Sequence, residues 1–230
     1  MSAGDFERAT RDLAGRCLAK FDDSAASAEI RAFALDVMVS QVSNGNTAML
    51  AYVPEVCQRL KDYAAPNQPG AQDYHRQIIK AVFVVFKSPQ ETLARVRFDP
   101  VVQYLVQLVA CEDIEIASLA CEFWSRYAGI PLSFASVREP WMAAFKPELP
   151  KLLAALVDRM IFREHAELSS FKNLCKLTAA ALEDVVLFYP SELVCAAFRP
   201  LLERRIKSDL WWEKEAAIRA LRAFTEAAGQ

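Results

Sequence analysis

Residues 149–161 of the chain read Leu-Pro-Lys-Leu-Leu-Ala-Ala-Leu-Val-Asp-Arg-Met-Ile. The apolar side chains of this stretch recur at intervals of three and four residues, from Leu149 through Leu156 to Ile161. Because an α-helix completes a turn every 3.6 residues, this spacing places them all on one face. The stretch therefore predicts a helix with one buried side. The same spacing returns at Val194–Leu202 and earlier at Ile30, Phe33, Ala34, Val37 and Met38.

The composition also favours helices over strands. The chain has 230 residues, of which 53% are hydrophobic, and only 6 are glycine. Alanine and leucine are abundant, whereas alternating runs of β-branched residues are scarce, and this balance is typical of helical proteins. A chain of this length and hydrophobicity can bury a continuous core. We predict an all-α fold.

Turn signals rich in proline, glycine and asparagine divide the sequence into about five helix pairs. The predicted pairs cover residues 4–43, 46–95, 99–130, 139–190 and 192–228. Equivalent positions on the second helices are Arg31, Arg76, Ala117, Lys176 and Glu215. Their successive differences of 45, 41, 59 and 39 residues lie mostly near the repeat length of HEAT and armadillo proteins. We therefore predict a single HEAT-repeat α-solenoid over residues 1–230.

The long step of 59 residues between Ala117 and Lys176 predicts an insertion. The polar segments 133–140 and 163–172 are the candidates, each expected to form a loop. The last helix has large apolar residues, among them Trp211 and Ile218, where a terminal repeat needs a polar outer face. This pattern predicts a segment of a longer solenoid.

Charge and cysteine usage narrow the possible partners and compartment. The formal net charge is −2, which gives no broad positive field for nucleic acid. The six cysteines form no Cys-x-x-Cys pair, and most have apolar neighbours, so we expect reduced thiols. No apolar run approaches the ~20 residues that span a bilayer. We expect an intracellular protein with no direct contact to nucleic acid and no membrane insertion.

The residues do not indicate catalysis. His75 and His165 are the only histidines, and neither has a partner at metal-ligand spacing. The sequence has no phosphate-binding glycine loop and no hydrolase or metalloprotease motif. We therefore expect no metal, no cofactor and no enzyme activity. An enzyme that uses Cys121 or a histidine is the least favoured alternative, and it predicts a thiol more reactive than a buried cysteine.

Four pieces of the sequence resemble the karyopherin-β family of nuclear import receptors, and most closely its transportin branch. They are residues 30–50, 115–124, 173–183 and 211–218, and the second includes Cys121-Glu122-Phe123-Trp124. The resemblance extends over roughly the whole chain. It implies the central HEAT repeats of the N-terminal arch of such a receptor, which shuttles between cytoplasm and nucleus.

The resemblance also implies a cargo site. In that family the second helices line the concave face and bind an extended basic signal that ends in Pro-Tyr. Matched positions here are Ala179, Ala180, Glu183 and Arg219. We add Trp212 because tryptophan is enriched among binding hot spots. Trp211 and Trp212 are adjacent and point to different sides of a helix, so we expect one to be buried.

A second implied site would bind the Ran GTPase, and the resemblance also suggests nucleoporins as partners. The Ran contacts match Glu112, Asp113 and Glu115. Carboxylates at a helix start favour the helix dipole and attract lysine or arginine from a partner. The bland interpretation of the same residues is helix capping.

Two positions depart from the family pattern. Arg219 replaces an apolar residue that covers the aromatic end of the cargo signal. The family's long acidic loop, which couples Ran binding to cargo release, would fall at residues 163–172, and this segment is short here. The main alternative to an import receptor is a generic HEAT-repeat scaffold or adaptor, which would bind neither Ran nor import signals.

Overall fold

The computed structural model describes residues 3–44, 46–63, 72–127, 129–161 and 168–228. Its elements in these ranges are thirteen α-helices and one short 3-10 helix, with no strand among them. The predicted all-α class is confirmed. None of the helices in these ranges is long and apolar enough to cross a membrane.

The chain divides into two compact units, Met1–Val101 and Val102–Gln230. The helices of the first unit are α1 (Ala3–Asp22), α2 (Ala28–Ser43), α3 (Thr47–Leu50), α4 (Val53–Tyr63), α5 (Gln72–Phe86) and α6 (Gln90–Leu93). Helix α1 packs against α2 and α3, while α2 and α4 both pack against α5. The next helix, α7 (Phe98–Val109), begins in this unit and continues into the second.

Polar contacts join elements of the first unit that are distant in sequence. The amide of Asn46 donates to the hydroxyl of Thr10 over 3.3 Å, and both residues are buried. Arg59 of α4 donates to both carboxylate oxygens of Asp22 at 2.7 and 2.9 Å. These contacts fix α3 and α4 against α1.

The second unit contains the remaining helices. They are α8 (Ile114–Arg126), α9 (Ala135–Phe145), α10 (Leu149–Arg159), α11 (Leu168–Phe188), α12 (Ser191–Ile206) and α13 (Trp211–Ala228), with a 3-10 turn at Ile130–Ser133. The side chain of Asp113 caps α8, and Pro190 precedes α12. Both residue types are common at helix starts, where four backbone N–H groups have no partner within the helix.

Helices α8, α11 and α13 form one layer in which α11 packs against both of the others. The thiol of Cys121 in α8 lies 3.8 Å from the hydroxyl of Thr178 in α11. Gly129, shortly after the end of α8, lies close to the ring of Phe188 at the end of α11. The two helices therefore run in the same direction. Helix α13 also runs parallel to α11, as the contacts of the groove described below show.

Helices α10 and α12 pack against each other in a second layer and run in the opposite direction. Phe198 of α12 stacks on Phe224 of α13 with ring centres 5.3 Å apart. Near the opposite end of α12, Arg205 lies 3.7 Å from Glu213 at the start of α13. Helices α12 and α13 are thus antiparallel. Alternation of two antiparallel layers, each helix pair burying its apolar side against the next pair, is the arrangement of α-solenoid repeats.

An aromatic cluster forms the centre of the second unit. Trp124 of α8 packs on Phe145 of α9 with ring centres 5.6 Å apart. Phe145 in turn stacks on Tyr189, which follows α11, at 3.9 Å. Trp141 donates its indole N–H to the hydroxyl of Tyr189 over 2.6 Å. All four side chains are buried, so Trp124 has a core role.

Two details of the sequence prediction are wrong. Ile30 and Phe33 are 49% and 69% exposed. The buried side of α2 is rotated and consists of Ala34, Leu35, Met38 and Val42, because contacts with α1 and α5 select the buried side. In the second error, a loop was expected over residues 133–140, but α9 already begins at Ala135.

The structure describes only part of the second predicted loop, residues 163–172. Residues 163–167 lie outside the described residues, and residues 168–172 form the first turns of α11. Apart from α3, α6 and α9, the helices in the described ranges form five successive pairs, as expected for the fold class. That they form one solenoid belonging to a longer receptor stays a prediction.

The Trp141–Tyr189 hydrogen bond should make a measurable contribution to stability. We expect Tyr189→Phe to lower the free energy of unfolding by about 1–3 kcal/mol, since it leaves a buried indole N–H without an acceptor. Chemical denaturation followed by tryptophan fluorescence measures the change. Tyr52→Phe is the matched control because no described group bonds to that hydroxyl; it should change stability by less than about 0.5 kcal/mol. Equal effects of the two variants would contradict the assignment.

Candidate functional site

A groove of about 400 Å³ runs between α11 and α13. Helix α11 contributes Lys172, Cys175, Lys176, Ala179 and Glu183. Helix α13 contributes Arg219, Arg222, Ala223 and Glu226, and Met160 follows α10 at the same surface. Steps of three and four residues keep each set on one side of its helix. The groove therefore follows the two helices along their length.

Small side chains leave room in the middle of the groove. Ala179 of α11 and Ala223 of α13 line it, where larger residues would fill the space between the helices. Ala181, Ala216 and Ala220 are fully buried beneath this surface. Alanine has the highest helix propensity, so this sequence forms straight helical walls and also keeps the groove open.

The two ends of the groove have opposite charge. Lys172 and Lys176 lie near the start of α11 and are exposed, and no described carboxylate bonds to either. Glu183 lies about three turns further along the helix. Glu226 of α13 lies close enough to Glu183 to raise the pKa of its carboxyl group. The surface is therefore basic at the Lys172 end, while Glu183 and Glu226 lie at the other end, where Arg222 offsets part of their negative charge.

Arginines of α13 form its central wall and are partly neutralised. Arg219 donates to Glu215 over 2.7 Å, one helical turn away. A second amino group of Arg219 lies 3.9 Å from the sulfur of Cys175 in α11. Arg222 donates to Glu226 over 2.7 Å. Since Arg219 faces Cys175 while the later Glu226 faces the later Glu183, α11 and α13 run in parallel.

Burial and like charge raise the pKa values of Glu183 and of its neighbour Asp184, which is not part of the groove lining. Partial burial is the main cause for Glu183, and Glu226 adds to it, while Arg222 opposes it. Burial raises the pKa of Asp184 to about 6, with a further contribution from the charge of Glu183. A cation bound here would relieve the repulsion among these carboxylates.

Three of the predicted cargo residues, Ala179, Glu183 and Arg219, line this groove. Ala180 is partly exposed on α11 but is not part of the lining. Trp212 lies about two turns before Arg219 on α13, also outside the lining. Trp211 and Trp212 are 62% and 37% exposed. The expectation that one of them is buried is therefore wrong, because the buried residues of α13 begin only at Ala216.

The predicted GTPase-binding residues lie together at the start of α8. Asp113 accepts hydrogen bonds from the backbone N–H groups of Glu115 and Ile116 at 2.9 and 3.0 Å. Its carboxylate thus has a capping role within the helix. Glu112 and Glu115 are exposed, so their side chains are accessible to a partner.

Sequence reasoning missed several groove residues. Lys172 stands seven residues before Ala179, and Lys176 stands seven residues before Glu183, on the same helical face. Periodicity along α11 could therefore have identified both lysines. No signal in the sequence pairs this face with Arg222 and Glu226, since that depends on how α13 packs. The ion pair between the buried Arg205 of α12 and Asp158 of α10 is likewise not visible in the sequence.

The thiols and histidines show no catalytic arrangement among the described residues. Burial raises the pKa of Cys121 to about 11, only partly offset by the Thr178 hydroxyl and Arg159. Burial also raises the pKa of Cys57. Such thiols are mostly protonated at neutral pH and react slowly. No group of three or more potential metal ligands occurs in the described ranges, and His165 lies outside them.

Comparisons with known proteins add little to this description. No protein-family profile matches the chain, and no curated protein matches it. Among solved structures, a designed armadillo repeat protein matches with 14% identity and a TM-score of 0.34, over 91% of this chain and 98% of that one. The helix packing described above is that of a helical-repeat protein.

Because the pKa of Asp184 is raised, we predict that its ionisation lowers the free energy of unfolding. Between its ordinary value of 3.8 and about 6, the folded chain binds the proton more tightly than the unfolded chain, so stability falls as pH rises through this window. We expect Asp184→Asn to stabilise the protein at pH 7 by about 1 kcal/mol or less, because solvent screens this partly exposed group.

Denaturation at pH 4 and pH 7 tests this expectation. The gain from Asp184→Asn should be near zero at pH 4 and reach its full size at pH 7. Asp36→Asn, which makes the same change at an exposed position of α2, is the matched control. A gain that is the same at both pH values would contradict the assignment.

Proposed function

We propose that this chain is a segment of a nuclear import receptor. It binds an extended signal peptide of a cargo protein in the α11–α13 groove and has no catalytic activity of its own. The observation that supports the proposal most is the convergence of Ala179, Glu183 and Arg219 on one groove. The family resemblance implies each of these residues separately. Two of them, Glu183 in α11 and Arg219 in α13, are 36 positions apart in sequence.

The dimensions of the groove suit an extended peptide. Eleven residues separate Lys172 from Glu183, which is about 16 Å along a helix. An extended chain rises about 3.3 Å per residue, so a peptide lying along the groove covers this distance with about five residues. The open middle at Ala179 and Ala223 leaves space for its side chains.

The charges of the groove favour a basic signal at one end. A lysine or arginine of the peptide would meet Glu183 and Glu226, with Asp184 nearby. At the other end, Lys172 and Lys176 would meet a carboxylate. The ligand we propose is therefore not uniformly basic: it has basic residues at the Glu183 end and an acidic group about five residues away.

The remaining elements of the proposal follow the resemblance. Ran would contact the start of α8, where Glu112 and Glu115 are exposed, and nucleoporins would be transient partners during shuttling between cytoplasm and nucleus. A generic helical-repeat adaptor is the alternative. It fits the same fold equally well, because the groove needs no GTPase to bind a peptide.

Peptide binding to single-site variants tests the proposal. We expect binding of a fluorescent peptide that ends in Pro-Tyr and has basic residues about five positions from an acidic residue. Glu183→Lys should weaken this binding by about tenfold, since a charge-assisted contact becomes a repulsion. Raising the salt concentration should also weaken binding by screening these charges. Fluorescence anisotropy measures both effects.

The controls separate charge at the groove from charge elsewhere. Glu192→Lys makes the same change at an exposed position of α12 and should leave affinity unchanged. A peptide whose basic residues are replaced by glutamine should bind poorly. Equal affinity of the two peptides, or of Glu183→Lys and the unmodified chain, would overturn the groove as the site. Peptide binding without any capture of GTP-loaded Ran would favour the adaptor.

A further inference from the structure

A second cavity, of about 220 Å³, lies within the first unit and is separate from the groove. It is bounded by α1, α3 and the residues around α6. Its lining residues are Glu7, Thr10, Arg11, Ala48, Ala51, Tyr52, Thr92 and Arg95. The volume is smaller than the roughly 300–1,000 Å³ of pockets for drug-sized ligands. It suits a small polar group.

The two arginines of this cavity are available to a ligand. Most described arginines donate to a carboxylate or a backbone carbonyl. Those that bond to no other described group are Arg8, Arg11, Arg95 and Arg204. Two of these four line the same small cavity although 84 positions separate them in sequence. Their guanidinium groups have fixed forks of N–H donors that match tetrahedral and planar oxyanions.

Hydroxyl groups complete the polar lining. Tyr52 and Thr92 are partly buried lining residues, and each has a hydroxyl group, which can donate to an oxyanion. Thr10 is held at the cavity by the amide of Asn46, over 3.3 Å. Ala48 and Ala51 contribute methyl groups, which leave the centre of the cavity open. The donors therefore come from three separate elements and surround one space.

Glu7 sets the charge balance of the cavity. It is the only carboxylate in the lining, against two guanidinium groups. An anion with two negative charges would interact favourably with both arginines and unfavourably with Glu7. The net attraction remains with the arginines, and removal of the Glu7 charge would increase it.

We propose that this cavity binds a phosphate monoester group, carried either by a small molecule or by a phosphorylated side chain of a partner protein. Arg11 and Arg95 bind the phosphate oxygens, and Tyr52 and Thr92 donate further hydrogen bonds. This site is independent of the peptide groove in the second unit. It gives the chain a second binding activity that responds to phosphorylation or to a phosphorylated metabolite.

Isothermal titration calorimetry of the full chain with inorganic phosphate and with O-phosphoserine tests the proposal. We expect both to bind, and Arg11→Gln and Arg95→Gln each to weaken binding at least about tenfold. Glu7→Gln should strengthen it. This gain cannot arise from misfolding, so the opposite signs of the variants distinguish a site from a structural defect.

Arg204→Gln is the matched control, since it removes an exposed and equally unpartnered arginine from α12. Unchanged binding of this variant supports the proposal. Absence of binding at millimolar concentrations of both probes would overturn it, as would equal losses in all three arginine variants. A phosphoserine peptide that binds more tightly than O-phosphoserine identifies a protein source of the phosphate. Equal affinities identify a small molecule.

Discussion

The packing of Trp124, Trp141, Phe145 and Tyr189 is the interaction on which the second unit depends. These four side chains join α8, α9 and the end of α11 in one buried cluster. Stacked aromatic rings bury large areas of apolar surface, and the Trp141–Tyr189 hydrogen bond satisfies two polar groups inside the cluster. The cluster holds one end of α11 in place, and the direction of α11 determines the groove.

The groove follows from the parallel course of α11 and α13. Parallel helices bring residues of similar order together, so the basic start of α11 and its acidic end remain separated along the surface. An antiparallel pair would have placed Glu226 beside Lys172 and cancelled these charges. The polarity of the site is therefore a consequence of repeat stacking, in which α12 runs antiparallel between the two helices and α13 again follows the direction of α11.

The sequence predicts helices better than it predicts surfaces. Periodicity identified the buried side of α10, because Leu149, Leu152 and Leu156 recur once per turn and all are fully buried. The same rule failed for Ile30 and Phe33, since α2 has apolar residues on more than one side and its neighbours select the buried one. Glu183 was assigned to a site only through the family resemblance, not through periodicity. The sequence alone predicts neither the role of Arg222 and Glu226 in the groove nor the cavity at Arg11 and Arg95. Both sites depend on contacts between segments that are distant in sequence.

Hydrogen exchange of the chain with and without a bound basic peptide tests the central claim most directly. Ligand binding slows the local opening of the helices it contacts. Our account predicts slower exchange in α11 and α13 along residues 172–183 and 219–226, with little change in α12 and in the first unit. Protection confined to α12 or to the first unit, with the two groove helices unchanged, would contradict it.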